Sequence, residues 1–186
     1  LCADGSSMVT EFIYWSDYYN SIISPFYSYS TGRTKETLRS SQVTCRDIDD
    51  DGYIEIPEDT SSKKQSSEIT SQNWENYGNT VLSHKCYSFS CKRDGYILVI
   101  DDDDFSKVKA NYDSESRKLT IINKKNKSNV FEIVTLINSN YSVNDPKYKD
   151  YTMIMKNSGF VYLAKVNKSS DIDINIQTLK DMIKVY

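Results

Sequence analysis

Apolar and polar positions alternate with period two along most of the chain, the signature of half-buried strands. The pattern is clearest between residues 80 and 166, where it predicts strands over 80–92, 96–100, 107–112, 118–122, 130–137, 151–155 and 160–166. Turn-forming residues punctuate them: Asp94-Gly95, a type I′ hairpin signal, then Asp113 to Ser116, Lys124 to Asn129, and Lys156 to Gly159. A longer loop, 138–150, carries Pro146. The period then changes. Ile176, Leu179, Met182, Ile183 and Tyr186 fall at helical spacing, and Asn175 is a plausible N-cap, so a helix is expected over 175–186. A run of strands closed by one amphipathic helix is satisfied when the helix lays its apolar stripe on an antiparallel sheet.

Upstream, the alternation predicts strands over 8–15, 20–24 (stopped by Pro25), 43–45 and 53–56 (closed by Pro57). Residues 59–72 are polar and carry little that could anchor them in a core, which reads as a linker or exposed loop. The expected fold class is therefore α+β, mainly β. Its parts are a strand block over 1–58, a polar segment over 59–72 and an antiparallel α+β domain over 73–186. No repeat of 20–50 residues recurs, so no complete solenoid or propeller is contained in the chain.

Composition changes this picture little. The chain has 186 residues, with 23 basic and 26 acidic side chains for a net charge of −3. A nucleic-acid-binding domain would show a clustered basic excess, which is missing. The longest apolar runs, such as 96–100, are far too short to span a bilayer. There is no charged-then-apolar leader, and the chain starts at Leu1, which reads as a mature or truncated fragment. Fifteen tyrosines favour strands.

The strongest chemical signal is Asp47-Ile48-Asp49-Asp50-Asp51-Gly52-Tyr53-Ile54-Glu55-Ile56-Pro57-Glu58. Calcium is a hard cation that takes six to eight oxygens. Carboxylates at alternate positions, Asp47, Asp49 and Asp51, converge when a loop curls round an ion. Gly52 permits the sharp turn, Tyr53 offers its carbonyl, Glu55 ligates directly or through water, and Ile54 is expected to anchor the loop in the core. Without a cation these carboxylates repel one another. Glu58 formally completes an EF-hand pattern. The flanks read as strands rather than helices, so a strand–loop–strand calcium site is expected, with the role of Glu58 left open.

These residues carry a resemblance. Residues 9–15, then 34–39, then the stretch from Asp47 to Pro57 together resemble the last blade of an integrin-alpha-type (FG-GAP or VCBS-like) β-propeller. The version they resemble is found in lipoproteins of Gram-positive bacteria. The resemblance implies a calcium loop between two strands with Asp47, Asp49, Asp51, the Tyr53 carbonyl and Glu55 as ligands. Residues 73–186 resemble the domain that follows such a propeller, through Trp74, Gly95-Tyr96, the 130–133 and 160–162 strands and the final helix. Two departures stand out. Asp49-Asp50 occupies the place of the usual Asn/Asp-Gly pair, and one blade cannot close a propeller. Upstream blades would then be missing, or residues 1–58 simply pack on the second domain. The implied address is extracellular or the cell envelope, with membrane contact only through a lipid anchor outside this fragment. The implied role is non-enzymatic, structural or ligand-binding, with a glycan or protein partner and no nucleic acid. The alternative is a carbohydrate-binding module or accessory domain of a glycan-active protein.

Other constellations are weaker. Cys2, Cys45, Cys86 and Cys91 lack paired zinc spacing and are expected as buried thiols rather than a disulfide framework. His84, the sole histidine, is expected as a partly exposed strand residue rather than half of a dyad with Cys86. Asp101 to Asp104 reads as a solvated loop. Trp15, Tyr18, Tyr19, Phe26, Tyr27 and Tyr29 are expected mainly as core and cross-strand pairs; exposed, they would suit stacking on sugar rings.

Overall fold

In the computed structural model, residues 8–34, 37–39, 43–60, 68–78, 81–142, 145–168 and 170–185 are described. The alternating segments form antiparallel sheets, the protein is mainly β, and a C-terminal helix packs on a sheet, as the pattern predicts. The chain divides into two compact units, Leu1–Ser62 with Ser71–Tyr87, and Lys63–Thr70 with Ser88–Tyr186.

In the first unit β1 (Tyr14–Ser16) pairs antiparallel with β2 (Ser21–Ile23), and β3 (Tyr27–Ser28) with β4 (Arg33–Thr34). β5 (Ile56–Asp59) pairs antiparallel with β6 (Ile69–Gly78), which neighbours β7 (Val81–Cys91). β6 and β7 contribute residues to both units. Three of the expected strands shrink because side chains take their backbone partners. The 8–15 segment keeps one bridge, Met8 to Arg39, and the short β1. Between them, Thr37 Oγ1 accepts from the Thr10 N–H and donates to the Thr10 carbonyl. The 43–45 strand is absent: Arg39 Nε donates to the Val43 carbonyl at 2.8 Å. The 53–56 strand starts only at Ile56, because the Tyr53 N–H is held by Asp51 Oδ1. Pro57 does not close β5 but sits inside it opposite Trp74, which an edge strand tolerates. The polar segment has strand at both ends, Asp59 in β5 and residues 69–72 in β6; residues 61–67 lie outside the described residues. Trp74, Ile48, Ile56 and Val43 are buried here, and Phe12, Phe26 and Tyr77 pack their rings 5.2–5.5 Å apart.

The second unit opens with β8 (Tyr96–Ile100), which lies next to β7 across a four-residue turn. The turn is not type I′. Only Gly95 has positive φ (+70°), and its N–H closes on the Cys91 carbonyl. Next comes α1 (Asp102–Lys107), a correction to the loop expected there. Asp101 caps it by accepting from the Asp104 N–H, and Asp102 to Asp104 lie in its first turn, where the helix dipole favours negative charge. A five-stranded antiparallel sheet follows in the order β12 (Thr152–Lys156), β13 (Phe160–Val166), β11 (Asn129–Ile137), β10 (Lys118–Asn123), β9 (Val108–Asp113). β10 shows the predicted alternation, with Leu119 and Ile121 buried, while the interior strand β13, between β12 and β11, is buried on both faces from Val161 to Ala164. The core joins this sheet to Phe89, Tyr96, Leu98 and Ile100, with Tyr96 edge-on to Tyr162 at 5.5 Å.

The terminal helix is shorter than expected. α2 (Ile176–Met182) starts at Asn175, whose Oδ1 accepts from the N–H groups of Gln177 and Thr178. It buries Leu179 and gives way to β14 (Ile183–Val185), which pairs antiparallel with β8. Ile183 fits a helical stripe and a buried strand position equally well, and pairing with Leu98 decides between them. Tyr186 lies outside the described residues.

Buried Asp94 organises the turns of this unit. Its Oδ1 receives Arg117 Nε at 2.7 Å and its Oδ2 receives Tyr112 OH at 2.9 Å, while its carbonyl accepts from Tyr162 OH. Among the described residues no helix is long and apolar enough to cross a membrane.

Candidate metal centre

The acidic loop is closed at its base by a two-way bridge. The Arg46 N–H donates to the Glu55 carbonyl and the Glu55 N–H to the Arg46 carbonyl. Between these ends the loop turns on its own carboxylates. Asp47 accepts from the Asp51 N–H at 3.0 Å and from the Gly52 N–H at 2.8 Å, one on each oxygen. Asp50 (φ +63°) and Gly52 (φ +91°) supply the left-handed backbone. A Cβ on Gly52 would meet no atom within 4 Å, so it is backbone conformation, not space, that requires glycine there.

The apolar anchor is Ile48, fully buried, and not Ile54, which is 57% exposed. Ile48 also places the deepest carboxylate: its N–H donates to Glu55 Oε2 at 2.9 Å. Glu55 is fully buried, and its other oxygen, Oε1, has no hydrogen-bond partner among the described residues. Burial pushes the Glu55 carboxyl above its usual range; the Ile48 N–H opposes this, and the charges of Asp49, Asp51 and Asp47 add to it.

Asp47, Asp49 and Glu55 each bring an oxygen to within 4.8 Å of the others. Oxygens bound to one calcium at 2.3–2.6 Å can lie no more than about 5 Å apart, so the cluster has the dimensions of a coordination shell. All three donors are hard oxygens, which suits calcium and not a soft-ligand metal. An orphaned buried carboxylate oxygen beside two further carboxylates is what a bound cation would complete.

Asp51 is turned elsewhere. Its Oδ1 holds the Tyr53 N–H and its Oδ2 lies 2.6 Å from Lys85 Nζ, which is also 2.9 Å from Asp49 Oδ2. The ammonium, helped by the Tyr53 N–H, holds the Asp51 carboxyl below its usual range, and the two carboxylates hold Lys85 above its own. Tyr53 has an exposed ring. Glu58 lies in β5 opposite Asn73, outside the three-residue group. Sequence reasoning passed over Lys85 and Ile48. Lys85 lies 34 residues from Asp51 on β7, and only strand pairing brings it to the loop.

The remaining candidates scatter. His84 is exposed on β7, with Nδ1 against Asn73 Oδ1 and its ring 4.5 Å from that of Tyr87. Cys91 is buried, and burial together with the Asp94 charge pushes its thiol up to about 12. Cys45 and Cys86 are only half-buried: Cys45 lies in an irregular segment with its Sγ against Thr10 Oγ1, and Cys86 lies within β7, where the residues from Val81 to Tyr87 are exposed or half-buried; Cys2 lies outside the described residues. The aromatic segment is corrected most. Trp15 is 57%, Tyr18 88% and Tyr29 81% exposed, Tyr19 and Tyr27 are also exposed, and only Phe26 is buried. They sit on or beside two-stranded ribbons, whose rings pair with one another, Tyr18 with Tyr19 and Tyr27 with Tyr29, instead of under a second layer. Trp15 Nε1 donates to Asp17. Compared with protein-family models, with curated proteins and with solved structures, the chain matches none.

Proposed function

We propose that this chain is a non-enzymatic, calcium-stabilised module of an extracellular or cell-envelope protein, structural or ligand-binding in role. The observation that carries the reading is the convergence of Asp47, Asp49 and Glu55 around the partnerless, buried Glu55 Oε1. Calcium there is held by these three carboxylates, with the Tyr53 carbonyl, Asp51 and water filling a shell of six to eight oxygens. A filled shell leaves no open position for chemistry, so the ion's work is to tie the loop to the bridge at its base. The likeness of the loop to the calcium loop of integrin-alpha-type propeller blades in Gram-positive lipoproteins supports the same reading and supplies the address. Thermal unfolding tests it: EGTA lowers the melting temperature and millimolar calcium restores it, and an unchanged melting temperature refutes it.

A second reading, a carbohydrate-binding module, is favoured by the exposure of Trp15, Tyr18, Tyr19 and Tyr29. Flat, solvent-facing rings stack on sugars. Oligosaccharides that quench the fluorescence of wild-type protein but not of Trp15→Phe would establish it; no difference between the two would remove it.

A further inference from the structure

We propose that Lys85 is the resident counter-cation of the acidic loop, displaced from its carboxylates when a divalent cation binds. Its ammonium bridges Asp49 Oδ2 at 2.9 Å and Asp51 Oδ2 at 2.6 Å. Asp49 is shared: it belongs both to this bridge and to the cluster with Asp47 and Glu55. Asp51, the third carboxylate of the alternating set, is held outside that cluster by Lys85 and by the Tyr53 N–H. One lysine therefore occupies charge that a cation would otherwise use.

The inference rests on the calcium reading above, for which the buried, partnerless Glu55 Oε1 is the independent sign of a ligand. Two consequences of opposite sign follow. Without a cation, Lys85 offsets the mutual repulsion of the loop carboxylates and keeps the loop closed. With a cation, the same positive charge opposes binding a few ångströms away, and Asp49 and Asp51 must be released to the ion. Lys85 thus trades affinity for a loop that is already formed, and it selects for cations of charge +2 or more, since a monovalent ion gains nothing by replacing an ammonium.

The test is calorimetric titration of the whole chain with calcium chloride at low ionic strength, for wild type, Lys85→Gln and Lys85→Arg, each paired with a thermal melt in EGTA. Lys85→Gln is expected to bind calcium about tenfold more tightly, the effect of one removed charge at this range in a largely solvated site, while melting lower in EGTA. Lys85→Arg, which keeps the charge, is expected to bind as wild type does. A purely structural lysine would lower both affinity and melting temperature. Equal or weaker affinity in Lys85→Gln, with calcium bound by wild type, overturns the counter-cation role alone. No binding by any of the three proteins overturns it together with the metal site. Binding by Lys85→Gln but not by wild type supports it in its strongest form.

Discussion

Replacing Glu55 with glutamine should make the ion-free protein more stable and the calcium-loaded one less so. Glu55 takes part in two of the three pairings among the clustered carboxylates, whose oxygens lie within 4.8 Å. At that distance a like-charge pair costs about 0.9 kcal/mol at the dielectric constant of water and about 3.5 kcal/mol at an effective value of 20. Exposure of Asp49 and the N–H donors on Asp47 place the real cost near the lower figure, so removing the Glu55 charge relieves about 2 kcal/mol. The Ile48 N–H then loses a charged acceptor and keeps a neutral one, which returns about 1 kcal/mol. The net gain of about 1 kcal/mol corresponds to roughly 2–4 °C for a chain of this length. Calcium at about a hundredfold excess over its dissociation constant stabilises the wild type by about 2.7 kcal/mol, and the variant by far less. The order of melting temperatures should therefore invert between EGTA and calcium. Acid provides a second check. The Glu55 carboxyl is held above the ordinary value of 4.5, chiefly by burial, so its favourable share of ion-free stability is present below that value and lost as pH rises through the raised one. The advantage of Glu55→Gln in EGTA should accordingly fade as pH falls toward 4.5. A variant less stable than wild type in EGTA at pH 7 refutes the reasoning, because Glu55 would then stabilise the fold without an ion.

Three further outcomes are expected. Arg117→Met strips buried Asp94 of its ion pair and should cost about 3–5 kcal/mol in urea unfolding; a loss under 1 kcal/mol would mean that Tyr112 alone satisfies the carboxylate. Asn175→Ala removes both side-chain bonds to the first turn of a seven-residue helix and should cost about 1 kcal/mol, with Asn175→Asp near neutral, by the same assay. The Cys91 thiol, at about 12 against an ordinary 9.0, contributes stability that is complete below pH 9 and lost as pH rises toward 12. Around pH 9, where the unfolded thiol ionises ahead of most tyrosine, this one group should lower stability by up to about 1.4 kcal/mol per pH unit, and Cys91→Ala should make the slope shallower.

The strands of the second unit were legible because each half-buried strand writes its own alternation, and the turns between them carry Gly, Asn or Asp. The acidic loop was legible for a similar reason: alternate carboxylates around Gly52 are a local pattern. What escaped depends on distant partners. Thr37 and Arg39 take backbone groups of Thr10 and Val43 that a strand would have used, and nothing near those residues announces it. Lys85 meets Asp51 only through strand placement. The exposed rings of Trp15 and Tyr18 look like core because apolarity states a preference for burial without stating whether a second layer exists to provide it. Asp101 to Asp104 reads as a solvated loop by its charge, yet Asp101 is an N-cap and the three carboxylates after it form the first turn of α1, where negative charge favours a helix.

The short β14 bears on the protein's solubility. Among the described residues, Ile183–Val185 pair with the outer side of β8, whose sequence Tyr96-Ile97-Leu98-Val99-Ile100 combines strong β-propensity with no charge. Fraying or proteolytic nicking after α2 would bare that row of amide and carbonyl groups to a second molecule. Three paired residues thus stand between that apolar strand and a second copy of the chain, and their loss is expected to show as turbidity before the core melts.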